Sequence, residues 1–181
     1  MQPVRLNPSH AVEYRGLMLE AYAQHPDAFT SSLTERACLP FSWWEQRLAE
    51  GDTPGEIVLG SFVSGQLAGV VGLSFERREK IRHKATLFGM YVPAGFRKTG
   101  LGTRLVRQAL DSAKARPGVS LVQLTMTDGN RAAQALYQRH GFVSFGLEPN
   151  AVAVGDGFVS KLHMWCNLAS QKHTDLIERS Q

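Results

Sequence analysis

Residues 85–113, ATLFGMYVPAGFRKTGLGTRLVRQALDSA, decide the fold. Residues 85–92 form a continuous apolar run that reads as a strand, with Gly89 inside it. A glycine within a strand marks a bulge or a place where another backbone or a ligand comes close. Leu101, Leu105, Val106, Ala109 and Ala113 then recur at helical spacing. Between strand and helix lie Arg97-Lys98-Thr99-Gly100-Leu101-Gly102-Thr103. Glycines there let backbone N–H groups face an anion, and the helix N-terminus adds about half a positive charge. Arg97 and Lys98 reinforce it. Taken alone, this loop is either a phosphate cradle or an ordinary strand-to-helix connection.

Working outward, Pro117-Gly118 breaks the chain before Val122, Leu124 and Met126 alternate with Gln123, Thr125 and Thr127 as a strand. Asn130 stands where a helix cap belongs, Ala133, Leu136, Tyr137 and His140 share one helical face, and Gly141 stops the helix. A strand over 142–147 follows, and Gly155-Asp156-Gly157 turns the chain into a last strand over 158–165. Upstream, strands 56–63 and 66–75 flank a Ser64-Gly65 hairpin turn. A short strand at 4–6, a helix capped by Ser9 and running to Gln24, and a helix over 42–49 after Pro40 precede it. Residues 26–39 lack a period and read as irregular or partly helical. The order is mixed α/β, with a hairpin early and a crossover later.

The chain has 181 residues, 43% hydrophobic and 20% charged, which suits one folded domain and excludes a disordered or collagen-like chain. That domain is expected over 1–168, with a polar, frayed tail at 169–181. The N-terminus lacks an apolar signal segment and no run approaches about eighteen apolar residues, so neither export nor a membrane partner is expected. Two cysteines, Cys38 and Cys166, fit a reducing compartment, the cytoplasm by default. The net charge of +4 favours an anionic ligand. Nucleic acid is not expected, because finger spacing, an RNP-like strand and a long basic helix are all missing.

Lys98 precedes the glycines, whereas a Walker loop needs it after them, and Leu105 occupies the third glycine position of a dinucleotide fingerprint. His163 and Cys166 have no paired metal-ligand spacing, so no metal is expected. Gly89-Met90-Tyr91-Val92-Pro93, then Arg97-x-x-Gly100-x-Gly102, then Asn130-x-x-Ala133-x-x-Leu136-Tyr137-x-x-x-Gly141-Phe142 together resemble the GNAT superfamily of acetyl-CoA-dependent N-acetyltransferases, in order and in separation. The resemblance covers roughly 85–146.

That resemblance implies a single-domain, mostly antiparallel mixed sheet with splayed central strands and flanking helices. It implies acetyl-CoA as co-substrate, its pantetheine arm in the gap between the strands at 85–92 and 121–127. Met90, Tyr91 and Val92 would bind that arm and the thioester oxygen through the backbone, and Arg97, Lys98, Thr99, Gly100, Leu101, Gly102 and Thr103 would carry the pyrophosphate. Leu101 departs from the small residue common there, where only a backbone N–H is asked to bind. Asn130, with Ala133, would hold the arm at the next helix start.

Tyr137 matches the family's general acid: a phenol with a pKa of about 10 stays protonated at neutral pH and can donate to a departing thiolate. Packing in the core would equally explain it. Some members carry a glutamate base where this chain has Thr86, so the base is open among Glu35, Glu76, Asp128 and water. Phe29, Ser31 and Ser32, with Thr30, would line the acceptor pocket. Trp43 and Trp44, adjacent on a helix, cannot both do so. The implied reaction is direct acetyl transfer to a primary amine of a small molecule or protein N-terminus. A homodimer is compatible with it. The rival readings are a catalytically inactive acyl-CoA-binding sensor or interaction module, and an acyltransferase acting on alcohols.

Overall fold

A computed structural model describes residues 2–51 and 54–169. Strand β1 (Val4–Arg5), helices α1 (Ala11–Gln24), α2 (Leu33–Ala37) and α3 (Phe41–Arg47), and strands β2 (Glu56–Val63), β3 (Gln66–Phe75) and β4 (Lys84–Tyr91) come first. Helix α4 (Leu101–Ala115), β5 (Leu121–Thr127), α5 (Arg131–Arg139), β6 (Val143–Val154) and β7 (Gly157–Asn167) complete the order. One sheet runs β1-β2-β3-β4-β5-β7-β6. Every neighbouring pair is antiparallel except β4 with β5, which the α4 crossover makes parallel.

The sheet is covered on both faces, and this explains the unbroken apolar runs of β2 and β3. Leu59, Val71, Leu73 and Leu87 pack with Leu105, Val106 and Ala109 of α4 in one core, together with Tyr137 of α5. Their sequence neighbours Val58 and Val70 turn the other way, to Tyr14, Leu17 and Met18 of α1 and Trp44 of α3. The apolar stripe of α4 is thus its docking surface, each fully buried leucine contributing about 1.5–3 kcal/mol. Trp44 is the buried one of the tryptophan pair. Trp43 lies between two guanidinium groups, with Arg36 Cζ 4.8 Å and Arg47 Cζ 4.9 Å from its ring centre.

The β2–β3 hairpin has the expected bounds, and Ser64 (φ 50°) and Gly65 (φ 80°) form its turn. Beside shifts of one or two residues, as in α3 and β7, two differences from the sequence reading have a physical reason. Asn7, not Ser9, caps the N-terminal helix: its Oδ1 accepts from the Ser9 backbone N–H at 3.1 Å and starts a 3₁₀ turn, Pro8–His10, that runs into α1. Proline at the first helical position loses nothing by lacking an N–H, which puts the cap one residue before it. β6 continues past Leu147 to Val154, although Pro149 and Asn150 look like a turn. Its pairing with β7 shifts register between Glu148 and Val152, with Asn150 at φ 54°; a bulge on an edge strand accommodates both residues. The expected tail lies outside the described residues beyond residue 169.

Candidate active site

The site begins where strand pairing ends. β4 and β5 pair only through Lys84 with Leu121, Ala85 with Val122 and Thr86 with Gln123. Beyond these residues β4 stays with β3 alone, while β5 stays with β7 as far as Thr127 and Lys161. Gly89 helps part the two. Its φ of +59° suits a residue without Cβ, and the β3–β4 register slips opposite it, between Val70 and Gly72.

Two connected spaces occupy the wedge. The outer cleft, about 660 Å³, is walled by Met90, Tyr91 and Val92, by Arg97, Lys98, Gly100, Gly102 and Thr103, and by Asn130 and Ala133. His25, Asp27, Ala28 and Phe29 close its far side. The inner chamber, about 220 Å³, is lined by Thr86, Phe88, Gly89, Met90, Thr125, Thr127, Tyr137 and Lys161, with Ala28, Phe29 and Thr30 as its roof. Met90, Asn130, Ala133, Ala28 and Phe29 border both.

Several residues do work beyond the cleft. Arg97 donates from Nε to the Val92 carbonyl at 2.8 Å and lies 2.9 Å from His25 Nε2, so it ties the end of β4 to the end of α1. Tyr91 borders the cleft, but its hydroxyl meets Glu20 at 2.9 Å; burial, and then that carboxylate, push its pKa up to about 12. Asn130 caps α5, accepting the Ala133 N–H at 3.1 Å on Oδ1. Lys98 (φ 63°) and Gly100 (φ 79°) curl the loop so that the first turn of α4 opens on the cleft. Thr99 donates to the Phe96 carbonyl at 2.7 Å, and the Leu101 side chain is buried; neither residue lines the cleft.

Tyr137 is 6% exposed, stacks edge-on against Phe142 at 5.7 Å, and makes no side-chain hydrogen bond among the described residues. Burial raises its pKa well above the ordinary tyrosine value, so the phenol is a neutral donor facing the chamber. No carboxylate lines that chamber among the described residues. Thr86 does, accepting from Gln123 Nε2 at 3.3 Å. Glu35 closes the capping box of α2 with Ser32, and Glu76 pairs with Arg78 at 3.1 Å on the surface. Of the expected acceptor residues, Phe29 borders both spaces. Ser31 accepts from Arg36 at 2.8 Å, Ser32 caps α2, and neither lines the cleft or chamber.

Sequence reading missed Lys161 and Thr127. Lys161 is 3% exposed and is the one buried charged residue among those described. The available signal was the polar face of β5: Gln123, Thr125 and Thr127 alternate with buried Val122, Leu124 and Met126, and such a face needs polar company.

The wedge of the splayed α/β sheet thus carries a basic, glycine-lined helix start at its mouth and a buried phenol at its inner end. Comparison with known proteins agrees. Residues 17–142 match the family described as acetyltransferase (GNAT) family. The chain is 27% identical over 123 residues to the [ribosomal protein bS18]-alanine N-acetyltransferase of Escherichia coli, covering 68% of this chain and 79% of that one. It is 27% identical over 99 residues to the L-amino acid N-acetyltransferase AaaT of Escherichia coli, covering 55% of this chain and 59% of that one. A GNAT-family acetyltransferase from Streptococcus pneumoniae superposes with a TM-score of 0.82 at 26% identity, over 91% of this chain and 97% of that one.

The chain belongs to the GNAT acetyltransferase family. It is an N-acetyltransferase with acetyl-CoA as co-substrate.

Proposed function

We propose that the chain moves the acetyl group directly to the primary amine of a small molecule or a protein N-terminus, with an α-amine as the preferred acceptor. The observation that carries this reading is the parting of β4 and β5 after Thr86 and Gln123, with Tyr137 at the inner end of the wedge. The relatives' names, an L-amino acid enzyme and a protein-alanine enzyme, favour the α-amine.

In this reading the first turn of α4, with Lys98 and Arg97, holds the diphosphate, and the β4 backbone from Met90 to Val92 holds the arm. Arg97 holds the Val92 carbonyl, and the backbone N–H groups on the open side of this stretch are the donors for the thioester oxygen. The amine nitrogen bonds to the thioester carbon and the C–S bond breaks. Tyr137 donates its proton to the sulfur, the amine's surplus proton leaves through water held by the Thr86 and Thr125 hydroxyls, since no carboxylate among the described residues lines the chamber, and the phenolate regains a proton from water before the next turnover. Cys38 and Cys166 line neither space, which supports transfer without an acyl-enzyme. A cytoplasmic homodimer belongs to the same proposal, supported by Val143, Phe145 and Leu147, which are 52–59% exposed on the edge strand β6.

The test is acetyl-CoA with free L-amino acids, alanine-ended peptides and polyamines, following thiol release and product mass. Transfer to α-amines is expected. Tight acetyl-CoA binding with no product from any amine would leave a sensor, and ester products would mean an alcohol acceptor. Sedimentation as a monomer at assay concentration removes the dimer.

A further inference from the structure

Segment 27–30 is the wall shared by the cleft and the chamber: Asp27, Ala28 and Phe29 face the first, and Ala28, Phe29 and Thr30 the second. It has little structure of its own, lying between α1 and α2 with one local backbone bond, from the Ala28 N–H to the His25 carbonyl at 3.0 Å. It is held from across the wedge. Lys161 Nζ donates to the carbonyls of Asp27 and Ala28, both at 3.0 Å, and to Thr127 Oγ1 at 2.9 Å. Thr127 in turn donates its hydroxyl proton to the Asp27 carbonyl at 2.7 Å. Lys161 and Thr127 are register partners on β7 and β5.

Three acceptors around one nitrogen require three N–H donors, so the bonded form is the ammonium ion. A buried cation is expensive unless its donors are all satisfied, and here they are. We propose that Lys161 and Thr127 form a strap that fixes residues 27–30 over the reaction chamber, making Lys161 the positioning residue for the acceptor amine. The inference rests on the acetyl-transfer reading above and deepens it. Without Lys161 the Ala28 carbonyl and the Thr127 hydroxyl oxygen each lose this donor inside the wedge, the Asp27 carbonyl keeps only Thr127, and the wall against which the amine aligns moves. Misplacement of a reactant by about 1 Å can cost roughly 100-fold in rate.

The charged and titratable groups around Lys161 are Asp27 in the segment itself, Glu148 across on β6, His163 two residues along the same face of β7, and Tyr137 in the shared chamber. Burial depresses the Lys161 pKa below its ordinary 10.5, while Asp27 and Glu148 resist the depression. Raising the pH therefore removes a strap donor sooner than it would discharge a surface lysine. Folding stability moves in the opposite sense: a depressed lysine costs stability while charged, and that cost is relieved as pH rises through its folded value toward 10.5. An alkaline loss of transfer without loss of stability is the signature of the strap.

The test compares the wild type with Lys161→Met, Thr127→Val and Thr127→Ser, reading amide exchange over 26–30, acetyl-CoA affinity by calorimetry, and acceptor kcat/KM from pH 7 to 10. Lys161→Met is expected to speed exchange of the Ala28 amide by about 10-fold or more and to lower acceptor kcat/KM by about 10–100-fold, with a smaller effect on acetyl-CoA affinity. Thr127→Val falls between, Thr127→Ser restores wild-type values, and the gap between wild type and Lys161→Met narrows toward pH 10. Should Lys161→Met fail to fold, the threonine pair carries the same comparison. Unchanged exchange in folded variants overturns the strap, as does faster exchange with wild-type kcat/KM. A wild type that acetylates no amine sinks the acetyl-transfer reading, and with it the positioning role, whatever the exchange shows about the strap.

Discussion

The two halves of β4 have different neighbours and different fates. Lys84, Ala85 and Thr86 are paired on both sides, to β3 and to β5, and form continuous sheet. From Leu87 to Tyr91 the strand keeps only β3, and the side it leaves open becomes the wall of the cleft and chamber. Both halves are equally strand-like and both rest on the same α4 core through Ala85 and Leu87. The difference lies in what happens to the backbone groups on the β5 side: satisfied within the sheet in the first half, they open onto the cleft and chamber in the second.

Substitutions at four positions break or sharpen that contrast. Tyr137→Phe keeps the ring packed against Phe142 and removes the donor at the inner end of the open half. Turnover is expected to fall by about 100-fold or more with acetyl-CoA affinity retained, and unchanged kcat would end the acid assignment. Gly102→Glu puts bulk and negative charge at the mouth. The new Cβ would sit 3.3 Å from Leu136 Cδ2 and 3.4 Å from Met90 Cε, both ends of flexible side chains, so the fold is retained. Calorimetry should then show acetyl-CoA binding weakened by roughly 10-fold or more.

Gly89→Val tests the point where β4 parts from the regular ladder. A Cβ there meets only Met18 Cε at 3.8 Å, so space is available and the penalty is the left-handed backbone, about 1–2 kcal/mol in denaturant unfolding. Gly89→Asn should cost less, and equal costs would mean that crowding, not φ, sets the requirement. Asn130→Ala removes the cap of α5 and should cost about 1 kcal/mol. An effect on acetyl-CoA affinity beyond that of the unfolding change would show that the side chain also grips the ligand.

The parts legible in the sequence are those set by neighbours in the chain. The β2–β3 hairpin, the α4 stripe, the Asn130 cap and the glycine in β4 each depend on residues within a few positions of one another, so local chemistry announces them. The mouth of the cleft was legible for the same reason, because its Arg97-to-Thr103 loop is one contiguous stretch. Lys161 was not. Its partners Asp27 and Ala28 lie more than 130 positions away, and in the chain it is simply a lysine in a strand. The acceptor side was obscured in the same way: Ser31 and Ser32 carry hydroxyls that suit a pocket, but α2 needs a cap and Arg36 needs an acceptor. The continuation of β6 through Pro149 was hidden because a bulge and a turn use the same residues.

The α5 cap has an implication for selectivity. Because Oδ1 of Asn130 accepts the Ala133 N–H, the carboxamide cannot flip without giving up the cap, and this holds its NH₂ group in one orientation at the border of the cleft. A ligand carbonyl passing the helix start would then meet an amide donor whose orientation the helix itself keeps fixed.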